Sequence, residues 1–162
     1  MESAKSEDFR KAQEAAYRLL TYKPRSRREL ILRLEAKGFS ENIIEELINK
    51  LEAQKYLDDE SYGQAVARSL IRRKFLGKDA LMAELLKKGL DRKLAERITG
   101  DSYSENNEEE LAIQALEKKL KGLRERPVEI ARRKASDYLR RKGFPFSIIG
   151  KVLNEKIGIR RD

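Results

Sequence analysis

The sequence contains no cysteine and no histidine among its 162 residues. Disulfides, thiolate metal sites and cysteine nucleophiles are therefore excluded, and the commonest general base and metal ligand is missing. The glycine-rich loops that hold phosphates in nucleotide-binding proteins are absent as well. We expect a protein that is not an enzyme, with no catalytic residue, no metal and no cofactor.

Long hydrophobic runs are also missing. The longest uninterrupted apolar run is the four-residue stretch from Ala80 to Ala83, whereas a membrane-spanning helix needs about 20 residues. The segment from Met1 to Asp8 carries acids and has no apolar core, so it does not look like a secretory signal. We expect a cytoplasmic protein that does not bind membranes.

The carboxylate cluster Asp58-Asp59-Glu60 could suggest a magnesium site. A helix that begins there explains it better, because an aspartate caps a helix N-terminus and further acids favour the positive end of the helix dipole. The acidic run from Glu108 to Glu110 has the same explanation.

The composition favours helices. Valine and threonine together number only five, and nine glycines and three prolines interrupt a chain rich in leucine, alanine, glutamate, lysine and arginine. Apolar residues recur at helical spacing, as in Tyr62, Val66 and Leu70. The sequence predicts an all-α fold.

The first third of the chain shows clear helix boundaries. A first helix should end before Pro24, which disfavours helical geometry in the preceding residue. Ser26 and Glu29 form a capping-box pattern that begins a second helix, and Gly38 suits the left-handed residue that ends it. Ser40 then caps a third helix.

This three-helix unit recurs. Lys-Gly pairs at the ends of the middle helices lie 51 and 54 residues apart, with a leucine four residues before each glycine. The pairs are Lys37-Gly38, Lys88-Gly89 and Lys142-Gly143, preceded by Leu34, Leu85 and Leu139. A fixed period with matched apolar positions indicates repeated supersecondary units.

We therefore predict an elongated, curved array of three tandem helix-turn-helix-like repeats, with a radius of gyration above the roughly 15 Å of a compact domain. The expected boundaries are a disordered N-terminus at 1–6, repeat 1 at 7–56, repeat 2 at 57–101, a linker at 102–107, repeat 3 at 108–158 and a tail at 159–162. The polar stretch from Gly100 to Glu110 is expected to act as a hinge.

Positive charge is concentrated near the C-terminus. Residues 1–117 carry 22 Lys and Arg against 23 Asp and Glu, whereas residues 118–162 carry 15 against 5. We expect a basic surface that attracts an anionic partner. Its candidate residues are Arg25, Arg27, Arg28, Arg68, Arg72, Arg73, Lys74, Lys78, Arg132, Arg133, Arg140, Arg141 and Lys142.

Aromatic residues do not interleave with these bases in a way that favours base stacking. They fall mostly on apolar stripes, where core packing is the better interpretation. The residues are Tyr17, Tyr22, Tyr62, Phe75, Tyr138, Phe144 and Phe146. The basic surface should bind a nucleic-acid backbone or an acidic protein rather than a base sequence.

Several motifs follow one another in a fixed order along the chain. They are Arg25-Ser26-Arg27-Arg28-Glu29-Leu30, Tyr56-Leu57-Asp58-Asp59 and Tyr138-Leu139-Arg140-Arg141-Lys142-Gly143-Phe144. Together with the repeat, this set closely resembles the bacterial RecX regulatory proteins. Gly63 departs from the alanine that the family usually has after the aromatic residue.

The resemblance implies a non-enzymatic modulator of the RecA recombinase. Such proteins bind the RecA filament on single-stranded DNA, along its helical groove, and inhibit it by blocking extension or promoting disassembly. The expected partners are the RecA filament and single-stranded DNA, with double-stranded DNA as a further partner, and the chain is expected to be monomeric. Two alternatives stay open: a stand-alone DNA-binding protein that uses the basic C-terminal repeat, and a helical scaffold that binds an acidic protein.

Arg133 and Arg140 lie one heptad apart in the third repeat and should project to the same exposed side. The double substitution Arg133→Glu with Arg140→Glu is expected to weaken filament or DNA binding and to leave the helical circular dichroism unchanged. Loss of helicity in this variant would show that the two arginines are structural.

Overall fold

The computed structural model describes residues 2–123 and 125–157, with side chains from Lys5 onward. This part of the chain contains nine α-helices and no strand, in three consecutive units of three helices. The helices are α1 Glu2–Tyr22, α2 Arg27–Glu35, α3 Glu41–Ala53, α4 Asp59–Lys74, α5 Lys78–Lys87, α6 Arg92–Glu105, α7 Glu108–Leu120, α8 Val128–Arg141 and α9 Phe146–Lys156. The predicted all-α tandem array is confirmed.

The predicted helix boundaries depend on short-range capping. The Ser26 hydroxyl accepts a hydrogen bond from the Glu29 amide at 3.2 Å, which starts α2. Asp58 accepts from the Ser61 amide at 3.0 Å and starts α4, so its role is the predicted cap. Gly38, with φ of +87°, adopts the left-handed conformation that ends the helix.

The buried side chains form two separate cores. The first core is enclosed by α1, α2 and α3, whereas the second is shared by the six helices of the second and third units. Leu34, Leu85 and Leu139, which the repeat predicted at matched positions, are all fully buried. The second and third units therefore fold around common apolar residues, and the first unit is attached to them through its surface.

A hydrogen bond at the equivalent place joins each unit to the next, with a hydroxyl donor in the first junction and an amide donor in the second. The Ser26 hydroxyl, at the start of α2, donates to the Lys88 carbonyl at 2.6 Å. The Gly77 amide, at the start of α5, donates to the Lys142 carbonyl at 2.7 Å. Because Ser26 and Gly77 occupy equivalent repeat positions, as do Lys88 and Lys142, the array repeats one junction: a middle-helix N-terminus meets the Lys-Gly turn of the following unit.

These junctions leave no room for side chains at the glycines. A Cβ atom on Gly143 would lie 2.3 Å from the Ala80 amide nitrogen, and one on Gly77 would lie 2.4 Å from the Gly143 carbonyl oxygen. A Cβ atom on Gly89 would lie 2.9 Å from the Arg28 Cβ. Around Gly38 the space is open to 4 Å.

The surface area of the molecule agrees with an extended arrangement. The chain has an accessible surface of 10952 Å², compared with roughly 8300 Å² for a compact monomer of 18.8 kDa. The excess is expected when units touch mainly their neighbours. The curvature and the radius of gyration stay predictions.

Two predicted irregular segments are helical. The first helix begins at Glu2, so the expected disorder at 1–6 is wrong for residues 2–6. The helix α6 continues to Glu105, so the expected linker at 102–107 shrinks to the two asparagines that precede α7. The hydroxyl of Tyr103 donates to the Leu76 carbonyl at 2.5 Å, and this tertiary contact fixes α6 beyond the point where its sequence turns polar. The tail at 159–162 lies outside the described residues.

Two aromatic residues expected in the core are exposed instead. Tyr22, at the end of α1, is 83% exposed, and Phe146, at the start of α9, is 73% exposed. Both lie at helix ends, outside the part of the helix that packs against neighbouring helices. No described helix combines the length and the apolar character that crossing a membrane requires.

The two glycines Gly38 and Gly143 allow the junction to be tested. Gly38→Ala should cost only the left-handed backbone strain, about 1–2 kcal/mol of unfolding free energy. Gly143→Ala carries similar strain, because its φ is +85°, and adds overlap with Ala80 worth about 1–3 kcal/mol more. Urea denaturation of both variants measures the difference, and equal losses would contradict the packed junction.

Candidate functional site

Each junction between units forms a surface cleft bordered by basic side chains. The first cleft, between the first and second units, has a volume of about 580 Å³ and the second, between the second and third units, about 400 Å³. Charged residues of the first cleft are Lys23, Arg28, Glu29, Glu84, Lys87 and Lys88. Those of the second cleft are Lys74, Asp79, Glu84, Arg140 and Arg141.

The two clefts are equivalent under the repeat. Lys23, which follows α1, and Lys74, the last residue of α4, lie 51 residues apart. Lys87 and Arg141 lie 54 residues apart, at the last positions of α5 and α8. Because the junction geometry repeats, a basic residue from the end of one helix meets a basic residue from the end of the next middle helix in both places.

Behind the second cleft, Lys142 connects the two units. Its ammonium nitrogen donates to the Lys74 carbonyl at 2.5 Å and lies 5.4 Å from the centre of the Tyr138 ring. Burial lowers the pKa of Lys142, and the nearby positive charges of Lys74 and Lys118 lower it further. Positive charge is therefore packed closely enough here for the lysines to destabilise each other, and an anion would relieve this repulsion.

Two lysines of this region were not among the predicted site residues. The Lys118 ammonium lies 4.5 Å from the Phe75 ring centre, and the Lys119 ammonium lies 5.6 Å from that of Tyr138. Both lie in the last turn of α7, where basic residues are ordinary helix-end chemistry. Nothing in the sequence indicates that the end of α7 packs against Phe75 at the end of α4, so only the packing brings these lysines to the junction.

Comparison with known proteins places the chain in a family. The family description of RecX matches in three parts: its first three-helix domain at residues 12–51, its second at 58–97 and its third at 107–153. A protein named regulatory protein RecX, from Pelodictyon phaeoclathratiforme, is 38% identical over 85% of this chain and 84% of its own length. The chain belongs to the RecX family.

Other RecX proteins agree with this assignment. The regulatory protein RecX of Amycolatopsis mediterranei is 32% identical over 93% of this chain and 86% of its own length. The crystal structure of RecX from Lactobacillus salivarius superimposes with a TM-score of 0.82 at 27% identity, covering 93% of this chain and 97% of the other. The chain spans about half of the length of the Bacillus licheniformis RecX, with 56% of that protein covered.

Two of the predicted basic residues of this RecX chain are structural. Arg25 is only 5% exposed, and its guanidinium pairs with Glu29 and donates to the Leu19 carbonyl at 3.1 Å. Arg132 donates to the carbonyls of Leu153 at 3.2 Å and Ile157 at 2.9 Å, which closes the C-terminal end of α9. We therefore leave both out of the proposed binding surface.

The capping box is correspondingly half formed. The carboxylate of Glu29 is held by Arg25 and by Lys23, which lies 3.3 Å away, instead of reaching back to the start of α2. Burial opposes ionisation of Glu29, but the adjacent Lys23 and Arg25 outweigh it and lower the pKa of this carboxyl group.

The remaining predicted residues do not form one patch. Arg28, Lys74, Arg140 and Arg141 line the clefts, and Lys142 lies behind the second one. Arg27 is paired with Glu52 at 3.2 Å. The other residues, all exposed and outside both clefts, are Arg68, Arg72, Arg73, Lys78 and Arg133. Among the described residues, no group of three or more acids is arranged to hold a metal ion.

The buried position of Arg25 can be tested against an exposed arginine of α2. Arg25→Met should lower the unfolding free energy by roughly 1.5–3 kcal/mol, because it removes a buried guanidinium that pairs with Glu29 and donates to the Leu19 carbonyl, while Lys23 still contacts the carboxylate. Arg33→Met should change it by less than about 0.5 kcal/mol, since Arg33 is exposed. Chemical denaturation provides the comparison, and an equally mild loss for Arg25→Met would contradict its structural role.

Proposed function

We propose that this chain is a non-enzymatic regulator of the RecA recombinase. It binds the RecA filament on single-stranded DNA and inhibits the ATPase, recombinase and coprotease activities by blocking extension or promoting disassembly. Membership of the RecX family is the observation that carries this proposal. The relatives are named regulatory proteins, which agrees with a function that needs no catalytic centre.

The tandem architecture supports binding to a filament. A filament offers the same surface many times at a fixed spacing, and linked units gain affinity when their own spacing matches it. In this chain the units are joined by direct hydrogen bonds to backbone carbonyls and by close glycine contacts, so their relative positions are held without long linkers. We infer that the chain lies along the helical groove of the filament as a monomer and contacts more than one RecA subunit.

A second function, stand-alone DNA binding, is favoured by the charge of the C-terminal segment, where residues 118–162 carry 15 bases and 5 acids. If contacts to DNA phosphates supplied most of the affinity, the logarithm of the binding constant would fall linearly with that of the salt concentration. The slope would be about −0.7 per neutralised phosphate on single strands and about −0.9 on duplex DNA.

The decisive experiment titrates this protein into RecA and measures the single-stranded-DNA-dependent ATPase at about 0.15 M salt, where charges more than roughly 8 Å apart are screened. We expect inhibition at concentrations well below that of RecA, because one regulator acting on a filament affects many subunits. Inhibition that begins only when enough protein is present to coat the DNA would favour competition for phosphates. No inhibition at either level would contradict the proposal.

A further inference from the structure

The two clefts meet on one face of α5. Glu84 lines both of them. Ala80 and Ala83 border the second cleft and Lys87 borders the first, and the spacing of these four residues places them on one side of the helix. The clefts are therefore the two ends of a continuous surface, which we name the α5 track.

The α5 track is mainly basic at its two ends and acidic between them. At its first-cleft end lie four bases, Lys23, Arg28, Lys87 and Lys88, and one acid, Glu29, which is paired with Lys23 and Arg25. At its second-cleft end lie three bases, Lys74, Arg140 and Arg141, and one acid, Asp79. Between the two ends lies Glu84, for which no ion pair is recorded in the part of the chain that the structure describes. The ligand that complements this pattern carries negative charge at its two ends and a hydrogen-bond donor or positive charge in the middle.

A protein segment fits this pattern better than a nucleic-acid backbone. Phosphodiesters carry negative charge at every residue, so the carboxylate of Glu84, midway along the track, would repel them. The first cleft also contains Leu32, which is 55% exposed and offers an apolar contact beside the charges. A polypeptide can supply acidic, basic and apolar side chains in one short stretch.

We propose that one short segment of a partner protein lies along the α5 track, with acidic side chains in the two clefts and a basic or donor side chain opposite Glu84. The helix α5 has 10 residues and is therefore about 15 Å long, which an extended segment of about five residues spans. The inference rests on the proposed function in one respect: the partner that carries the segment is then RecA in its filament.

The junctions hold the two ends of the track at a fixed separation. Gly77 begins α5 and bonds to the Lys142 carbonyl, and Lys88 follows α5 and accepts from Ser26. Both ends of α5 are thus fixed to neighbouring units. The basic residues that follow α1 and end α8 accordingly keep their positions relative to Glu84, so the track can select a ligand by the spacing of its charges.

Binding of the full chain to RecA filaments on single-stranded DNA, and to the same DNA without RecA, tests the proposal at about 0.15 M salt. Lys87→Glu and Arg141→Glu reverse the charge at equivalent positions of the two ends, and each is expected to weaken filament binding roughly tenfold or more. Lys93→Glu, an exposed reversal on α6 outside both clefts, is the matched control and should leave binding within about twofold.

Glu84→Gln distinguishes the two kinds of ligand. If a protein segment with a basic or donor side chain occupies the track, this substitution weakens filament binding several-fold. If a phosphate backbone occupies it, removing the carboxylate strengthens binding to filaments and to bare DNA alike, and the proposal is overturned. Glu45→Gln removes the same charge from the exposed side of α3 and controls for net charge.

Different results would contradict this inference and the proposed function. If the wild-type chain inhibits the RecA ATPase, but Lys87→Glu and Arg141→Glu bind filaments no more weakly than Lys93→Glu, the proposed function stands and the α5 track is overturned. If the wild-type chain binds filaments and the variants weaken binding as expected, but the RecA ATPase is unchanged, the α5 track stands and the inhibitory role is contradicted. Circular dichroism of each variant ensures that the comparison is made between folded proteins.

Discussion

One hydrogen bond, used twice, positions the rest of this molecule: a donor at the start of a middle helix reaches the carbonyl of the Lys-Gly turn in the next unit. Glycine at each turn lets the neighbouring unit approach to distances that a Cβ atom would prevent. In the first junction Ser26 uses its hydroxyl as acceptor within its own helix and as donor to the next unit. The same serine hydroxyl therefore caps its own helix and holds the first unit against the second.

The clefts follow from this geometry. A helix end rich in lysine or arginine is ordinary chemistry for the helix dipole, and taken alone it is a solvated surface. When each such end is docked beside the start of another helix, the bases of two units face one cavity, as Lys74 and Arg141 do. Docking of the units therefore places ordinary helix-end bases in two equivalent basic clefts. The helix α5, fixed at both ends, lies between the clefts, and its Glu84 lines both.

Local signals in the sequence predicted the fold well and the site only in part. Caps at Ser26 and Asp58 and the left-handed Gly38 depend on neighbours within a few residues, and all three are present. Ser40 occupies the predicted position before α3, but its side chain makes no capping hydrogen bond. The roles of Arg25 and Lys118 depend on side-chain packing: Arg25 is buried between the Leu19 carbonyl and the Glu29 carboxylate, and Lys118 lies over the Phe75 ring of another unit. The sequence therefore placed Arg25 among the surface candidates and did not indicate Lys118. A basic residue in a sequence does not reveal whether its charge faces solvent, a partly buried carboxylate or an aromatic ring.

The sequence by itself determined that the chain is helical, that it repeats with a period of 51 and 54 residues, and that its chemistry excludes thiols and imidazoles. Those properties are fixed by composition and by contacts within one or two helical turns. Tertiary structure decided that the second and third units share a core, that α6 continues to Glu105, and which bases meet at the junctions. These outcomes depend on packing between residues tens of positions apart. The free energy of such packing cannot be predicted from a local sequence pattern.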